Sequence, residues 1–597
     1  MTHHSLKTDM LKKILSLALI MLCCSSVFCQ NKKASKYKAD DDHQFDSGSG
    51  IISIPLTTSK INDLALLGKV WGFLKYYHPS IAKGDYNWDY ELFRILPKII
   101  SCNNVAERNA ILLAWIRELG DVQTEGYPAF SEKTDVKLEP DINWINDTVV
   151  LGRYLSDQLK LIDNSERDGV NYYVSFVPGV GNPVFGNERA YTRYMFKCPD
   201  AGYRLLALYR YWNIIEYYYP YRNLFTENWD SLLTEFIPIF INADTYKEYR
   251  LAVVALSCHI YDTHAGVIQN NFYYGNNYIP AIISFVQDSA TITGFFDKET
   301  ETNSGLVRGD VIEKINGEKV DDIVKEMLHI TPASNYPTKL RNIAEDLLKT
   351  DDTVLSITYT HHNKRRIKDV KCIPFNSYSL SSQINQLLYQ RKDTCFKYID
   401  SDIAYLYLGN IKRGDLPKIM PRIGKTKGLI IELRCYPSYF ILYELAEYLM
   451  QSTDFVRFTM VNPKIPGLFT YYGLTQAGDE KEGGNLYKGQ VIILVNEITQ
   501  SSAEFTSMAL RKVPGALVLG STTAGADGDV SAFPLPGGIK TAFSGIGVYY
   551  PDKKETQRVG IIPDIVVIPT IKGIREGRDE LVEKAVDIID RNMGWSH

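Results

Sequence analysis

Val491-Ile-Ile-Leu-Val-Asn-Glu-Ile-Thr-Gln-Ser-Ser-Ala-Glu-Phe505 passes from a short apolar strand through a polar turn into a helix headed by serine. A serine at such a turn stands exposed at the rim of a sheet. The helix N-terminus behind it offers unpaired N–H groups and a positive dipole end to a developing oxyanion. Ser501 and Ser502 both fit that description. The same letters also suit a plain helix cap, with Thr499, Ser501 or Ser502 as N-cap and Glu504 completing a capping box.

Working outward, the chain beyond about Phe375 alternates apolar strands and helices. The strands are Ile403 to Leu408, Gly428 to Arg434, Val491 to Val495 and Ala516 to Gly520, and the helices are Ser438 to Gln451 and Ser502 to Arg511. Continuous apolar strands separated by helices argue for a parallel sheet covered on both faces. At 597 residues and 45% hydrophobic, the chain has material for about three or four domains with real cores.

A formal net charge of -4, from 66 basic and 70 acidic residues, leaves no basic excess for nucleic acid. The short run His361-His-Asn-Lys-Arg-Arg366 suits a solvated turn. Lys7, Lys12 and Lys13, the apolar run Ile14 to Leu22 and the small and polar residues up to Cys29 follow the order of a secretory signal, so an exported mature chain is expected. That run is too short to span a bilayer, and no later segment is long enough to be a transmembrane span. Cys23, Cys24 and Cys29 raise lipidation as a minor alternative, against which stand the bulky Leu22 and Phe28. The remaining cysteines are scattered without a C-x-x-C pair, so no metal site is read and no cofactor is expected. Residues 30–60 are largely polar and read as a flexible leader.

Between the leader and the strands lies an internal repeat at a constant offset of 141 residues. Trp71, Tyr76, Tyr77, Pro79 and Asn87-Trp-Asp89 recur as Trp212, Tyr217, Tyr218, Pro220 and Asn228-Trp-Asp230, and the match continues without a gap to Asp121 and Asp262. Each copy reads as helices around an Asn-Trp-Asp helix start. Where the first copy has Asp121-Val-Gln123, the second has Asp262-Thr-His264. The shared aspartate therefore reads as architectural. A histidine present in one of two equivalent helix ends is the better candidate for a general base.

Ser304-Gly-Leu-Val-Arg-Gly-Asp-Val-Ile-Glu-Lys-Ile-Asn-Gly317 resembles the central motif of PDZ domains, with Asn316-Gly317 a good hairpin turn. PDZ domains bind extended chains, usually C-termini, at a sheet edge; on that resemblance Gly305 and Leu306 are expected to bind substrate. This motif, the Leu-Arg strand end at 433–434, the Ser-x-x-Glu helix start and Gly560-Ile-Ile-Pro-Asp564 together resemble the tail-specific, or C-terminal processing, protease family. The resemblance is closest to its tricorn-like and retinoid-binding-protein-like branch.

The resemblance implies a multidomain α+β protein. Its expected parts are a signal peptide (1–29), the leader (30–60), two helical repeat copies (61–165 and 166–275), a PDZ-like β-rich domain (276–376) and an α/β catalytic domain of ClpP/crotonase type (377–597). It points to Ser501 as nucleophile, the Ser502 N–H as oxyanion donor and His264 as base, with Thr263 and Gln557 helping to orient it. The lysine that bacterial members place 25 residues after the serine is Ala526 here, so the Ser-Lys dyad is absent. Gln557 stands where relatives have a glutamate, with Glu555 nearby, and Cys435-Tyr-Pro-Ser438 replaces the glycines often found after the strand-end arginine. The expectation is an exported serine-type peptidase acting on peptides or unfolded proteins. A catalytically inactive protein of the same fold, binding peptides or an apolar ligand, is the alternative.

Overall fold

The computed structural model describes residues 37–124, 135–268, 275–296, 298–374, 394–481 and 484–592. The signal-peptide reading and the candidate lipidation cysteines lie outside the described residues.

Two tryptophan pairs organise the helical half. Its main helices are α1 (Thr58–Tyr77), α2 (Trp88–Ser101), α3 (Val105–Glu118), α4 (Ala201–Tyr218), α5 (Trp229–Ile241) and α6 (Tyr246–Cys258). Asn87 caps α2 and Asn228 caps α5, each side chain accepting the N–H three residues on. Trp71 and Trp88 donate their indole N–H to each other's backbone carbonyl, at 2.9 and 2.8 Å, and Trp212 and Trp229 repeat this at 2.8 and 3.2 Å. Helices α1 and α4 then pack against each other through Tyr76–Tyr218 and Tyr77–Tyr217 ring contacts, with centroids 5.0 and 5.8 Å apart.

The stretch expected to be a loose leader is, from Tyr37 onward, laid against these helices. Ala39, Ile51 and Ile54 enter the helical core, Arg94 pairs with Asp42 at 2.7 Å, and the Ser49 N–H donates to Asp200 at 2.9 Å. Ile51 and Ile54 are the reason: two buried apolar anchors hold an otherwise polar segment.

Past α6 the short strand β1 (Gly266–Val267) leaves the helices. Next comes a β-rich unit of β2 (Ala281–Val286), β3 (Ser289–Phe295), β4 (Val311–Ile315), β5 (Val354–His361) and β6 (Lys364–Lys371), with helices α7 (Val320–Met327) and α8 (Tyr336–Asp346). The sheet order is β6-β5-β4-β3-β2, with Glu318–Lys319 paired beside β4, so β2 is an edge, and α8 packs along it.

The C-terminal unit has β7 (Phe396–Tyr398), β8 (Ile403–Tyr407), β9 (Gly428–Glu432), α9 (Leu442–Leu449), the long hairpin β10 (Thr453–Asn462) and β11 (Ile465–Ala477), β12 (Gln490–Val495), α10 (Ser502–Leu510) and β13 (Leu517–Gly520). It ends with the hairpin β14 (Val530–Leu535) and β15 (Ile539–Ser544), β16 (Ile565–Val566) and α11 (Glu580–Asn592). Its main sheet runs β7-β8-β9-β12-β13-β16 and is parallel from β8 onward, as the apolar runs predict. The helix expected from Ser438 starts at Leu442, because Ser438 is spent elsewhere: its N–H donates to the Leu408 carbonyl (3.0 Å) and its hydroxyl to Ile411 (2.6 Å). Strand β15 pairs with β1, Ala542 opposite Gly266 and Thr541 opposite Val267, which carries the end of the helical half into the C-terminal unit. Among the described residues no helix is long and apolar enough to cross a membrane, and Cys102, Cys198, Cys258, Cys372, Cys395 and Cys435 are free thiols.

Candidate active site

Strand β12 delivers the chain to a turn that is tied down before the serine is reached. The Thr499 hydroxyl donates to the Leu433 carbonyl at 2.7 Å, joining this turn to the end of β9. Ser501 follows at φ 54°, ψ -119°, backbone that a residue with a Cβ occupies only when its surroundings impose it. Those surroundings are visible. The Ser501 N–H donates to the Ala526 carbonyl (3.0 Å) and to Glu504 (3.2 Å). Buried Glu504 also accepts the N–H groups of Gly525 (2.7 Å) and Ala526 (3.0 Å) and the Thr523 hydroxyl. Burial raises the Glu504 pKa, and these donors oppose the rise. Glu504 thus does more than cap a helix: it binds the 523–526 loop to the serine turn. The N–H of Ser502, first residue of α10, has no acceptor among the described residues and is free to bind an anion.

His264 comes in from the helical side. Its Nδ1 is 2.9 Å from the Ser544 hydroxyl, which donates to Asp262 Oδ1 at 2.9 Å, while the Ser544 N–H donates to Asp262 Oδ2 at 2.6 Å. With the hydroxyl hydrogen directed at the carboxylate, Ser544 accepts from Nδ1–H. That direction leaves Nε2 as the basic nitrogen. The imidazole pKa is lowered from 6.5, first by burial and then by the charge of Arg341, with Asp262 acting the other way, so the ring is neutral and basic at pH 7. The aspartate common to both repeats therefore has unlike fates: Asp121 is exposed, whereas Asp262 is fully buried and holds the histidine.

The two halves of the site share one loop. The Thr263 hydroxyl donates to the Ala524 carbonyl (3.0 Å), and the Ala524 N–H donates to the Thr499 carbonyl (2.9 Å). Thr263 also exchanges hydrogen bonds with Ser334 of the β-rich unit, its N–H donating at 2.8 Å and its hydroxyl accepting the Ser334 N–H at 3.0 Å. It is a tie between three segments and does not touch the imidazole. Gln557 is likewise placed elsewhere: its amide donates to the Tyr219 hydroxyl at 3.4 Å and makes no bond to His264. Ser544 takes the orienting place expected of Gln557.

Of the two residues expected to bind substrate, Gly305 is exposed and Leu306 is not. Leu306 is fully buried in the core of the β-rich unit, and Gly305 serves a turn at φ 64°. A small hollow of that unit lies between the β2 edge and α8, lined by Tyr278, Ile279, Ala281, Ile282, Phe296 and Leu348. From α8, Arg341 reaches the Glu497 carbonyl (2.7 Å) and the Gln500 side chain (3.1 Å), immediately before Ser501. Asp262, Ser544 and Arg341 were not singled out from sequence as members of the site. Only the Asp121/Asp262 match offered a signal, and it pointed to architecture.

Residues 439–567, which contain Ser501, Glu504, Ser544 and Gln557, match the sequence model of Peptidase family S41. That stretch is similar to the S41 peptidases. Family S41 comprises serine peptidases, here in a mixed α/β multidomain protein. Two solved structures are similar to this chain in fold beyond the matched stretch. Mature CPAF has a TM-score of 0.51 at 14% identity over 65% of this chain and 96% of that one. Mature CPAF complexed with lactacystin has a TM-score of 0.50 at 14% identity over 65% and 98%. No curated protein matches this chain.

Proposed function

We propose that this protein is an exported serine-type peptidase that cleaves peptides or unfolded proteins through an acyl-enzyme. The observation that carries the reading is the backbone of Ser501. A side-chain-bearing residue at φ 54° on a strand-to-helix turn, with a free N–H beside it, is the arrangement that presents a nucleophile and an oxyanion donor together.

In this reading Ser501 Oγ attacks the scissile carbonyl while His264 Nε2 takes its proton. The carbonyl pair moves onto oxygen, where the Ser502 N–H receives it. Collapse expels the amine, which leaves with the proton from His264, and water then repeats the sequence to release the acid. Asp262 stabilises the transient imidazolium through Ser544. Thr263 and Gln557 support the site from behind rather than touching the reacting atoms. The edge strand β2 suits an extended segment, C-terminal or internal, added as a further strand to the sheet, consistent with the PDZ resemblance.

Labelling with a fluorophosphonate followed by peptide mapping tests the reading. An adduct on Ser501 that disappears in Ser501→Ala is the expected result. An adduct on Ser502 would overturn the assignment of the nucleophile, and no adduct on a folded protein would favour the ligand-binding alternative.

A further inference from the structure

Phe505 stands one turn into α10 from Ser501, and its N–H donates to the Ser501 carbonyl at 2.9 Å. Residues so spaced lie one above the other along a helix, a turn of about 5.4 Å apart. The Phe505 ring neighbours Phe440 and Phe458, nearly parallel to both, with centroids 6.2 and 6.0 Å away. Fully buried Phe455 meets it edge-on at 5.2 Å, and Tyr443 of α9 contacts Phe440 and Phe455 at 5.9 and 6.5 Å. Phe455 and Phe458 both lie on β10, at a spacing that sends side chains to opposite faces of a regular strand. The register of β10 breaks between Arg457 and Thr459, and this irregularity brings both rings to Phe505. Phe440 is held out toward solvent. It is 39% exposed, although Ser438, fixed to Leu408 and Ile411, and buried Ile441 anchor the chain on either side of it.

We propose that this aromatic cluster is the specificity site of the peptidase, receiving an aromatic or large aliphatic side chain on the substrate residue whose carbonyl Ser501 attacks. This rests on Ser501 being the nucleophile. Two links fix the cluster to the serine turn: α10 carries Phe505, and the loop that carries Phe440 begins at Leu433, whose carbonyl accepts the Thr499 hydroxyl. The side chain in question starts one bond beyond the attacked carbonyl. A phenylalanine or leucine there has about the reach of one helical turn and meets Phe505 and Phe440, whereas an alanine stops short. The outer face of Phe440 gains when an apolar group covers it. None of the five side chains is charged, so a Lys, Arg, Asp or Glu entering among them would lose its hydration without a counter-charge in return.

Digestion of unfolded β-casein, with the cut sites mapped by mass spectrometry, tests this. Per residue available, cuts that follow Phe, Tyr, Leu or Met should outnumber those that follow Ala, Ser, Lys or Arg by at least about tenfold, the discrimination of an apolar pocket. Phe440→Ala should lower that ratio by about fivefold or more. Phe440→Asp should raise the rate of cutting after Lys and Arg above that of the wild type, a gain that a misfolded protein cannot show. Ser501→Ala should leave the casein intact. A ratio unchanged in Phe440→Ala, or no gain in Phe440→Asp, overturns the proposal. So does a wild type that cuts without regard to the preceding residue, or that selects the residue after the cut. In each of these cases the loss of cutting in Ser501→Ala still upholds the nucleophile. Casein left intact by folded wild-type protein overturns the nucleophile and the pocket together.

Discussion

Ser501 combines two demands that pull against each other, a backbone that disfavours any side chain and a function that requires one. Comparison of two variants separates them. Ser501→Ala and Ser501→Gly both remove the hydroxyl and should both be inactive, but only glycine relieves the positive φ. Ser501→Gly should therefore exceed Ser501→Ala in unfolding free energy by about 1 kcal/mol, read from denaturant midpoints. Equal stabilities would mean that the turn stores no strain. For His264, replacement by Gln copies residue 123 of the first repeat, so the fold should survive while kcat/KM falls by about two to four orders of magnitude. Gln123→His should change nothing, since Gln123 is exposed. The sign of the pH dependence follows from the environment of the base. A general base works only when unprotonated, and burial lowers the pKa of His264 below 6.5, so the midpoint of the acid limb of kcat/KM should lie below pH 6.5.

At the scale of elements, what was legible in the sequence were features generated locally. Strands β8, β9, β12 and β13 are unbroken apolar runs, and α10 announces itself by its serine and glutamate. The strands that bring the site together were not legible. Strand β15 pairs with β1 across 275 residues, and Ser544, which steadies His264, lies at its end. Nothing in the neighbourhood of Ser544 marks it, because its meaning comes from a partner in another unit. The motif at 304–317 gave strands with an Asn-Gly turn, and of its two expected binding residues Gly305 is exposed while Leu306 is spent on the core, since a motif shared by a fold records what builds the fold as well as what it binds. Helix α8 shows what such a reading omits. Arg341 both braces Gln500 and depresses the His264 pKa. In Arg341→Met the acid limb of kcat/KM should therefore move to higher pH, and kcat should fall as the serine turn loosens. A change in kcat without a shift in the limb would leave Arg341 a brace only.

Across the whole molecule, the sequence repeat puts matching charges in unlike surroundings, and this makes the chain its own control. Residues 69 and 210, and 89 and 230, are equivalent at the offset of 141. Lys69 pairs with Asp230 at 2.7 Å, and Arg210 pairs with Asp89 at 2.5 Å, each basic residue reaching the aspartate of the other copy. The first pair is open to solvent on one side, with Asp230 52% exposed and Lys69 13%. The second is sealed, and Arg210 there also bonds Glu188 (2.7 Å) and the Pro534 carbonyl (2.8 Å) of the C-terminal unit, while Lys75 completes the charge balance against Glu188 at 2.6 Å. Removing one member of a sealed network strands its partners, whereas an exposed pair is replaced by water. Arg210→Met should therefore lower the unfolding free energy by about 3–5 kcal/mol, and Lys69→Met by less than about 1 kcal/mol, although the two substitutions delete the same ion pair on paper. Urea unfolding followed by tryptophan fluorescence reports on both, because Trp71 and Trp212 sit in the same two helices as the exchanged charges. Equal losses in the two variants would show that the buried network is no more than a pair of surface contacts carried inward.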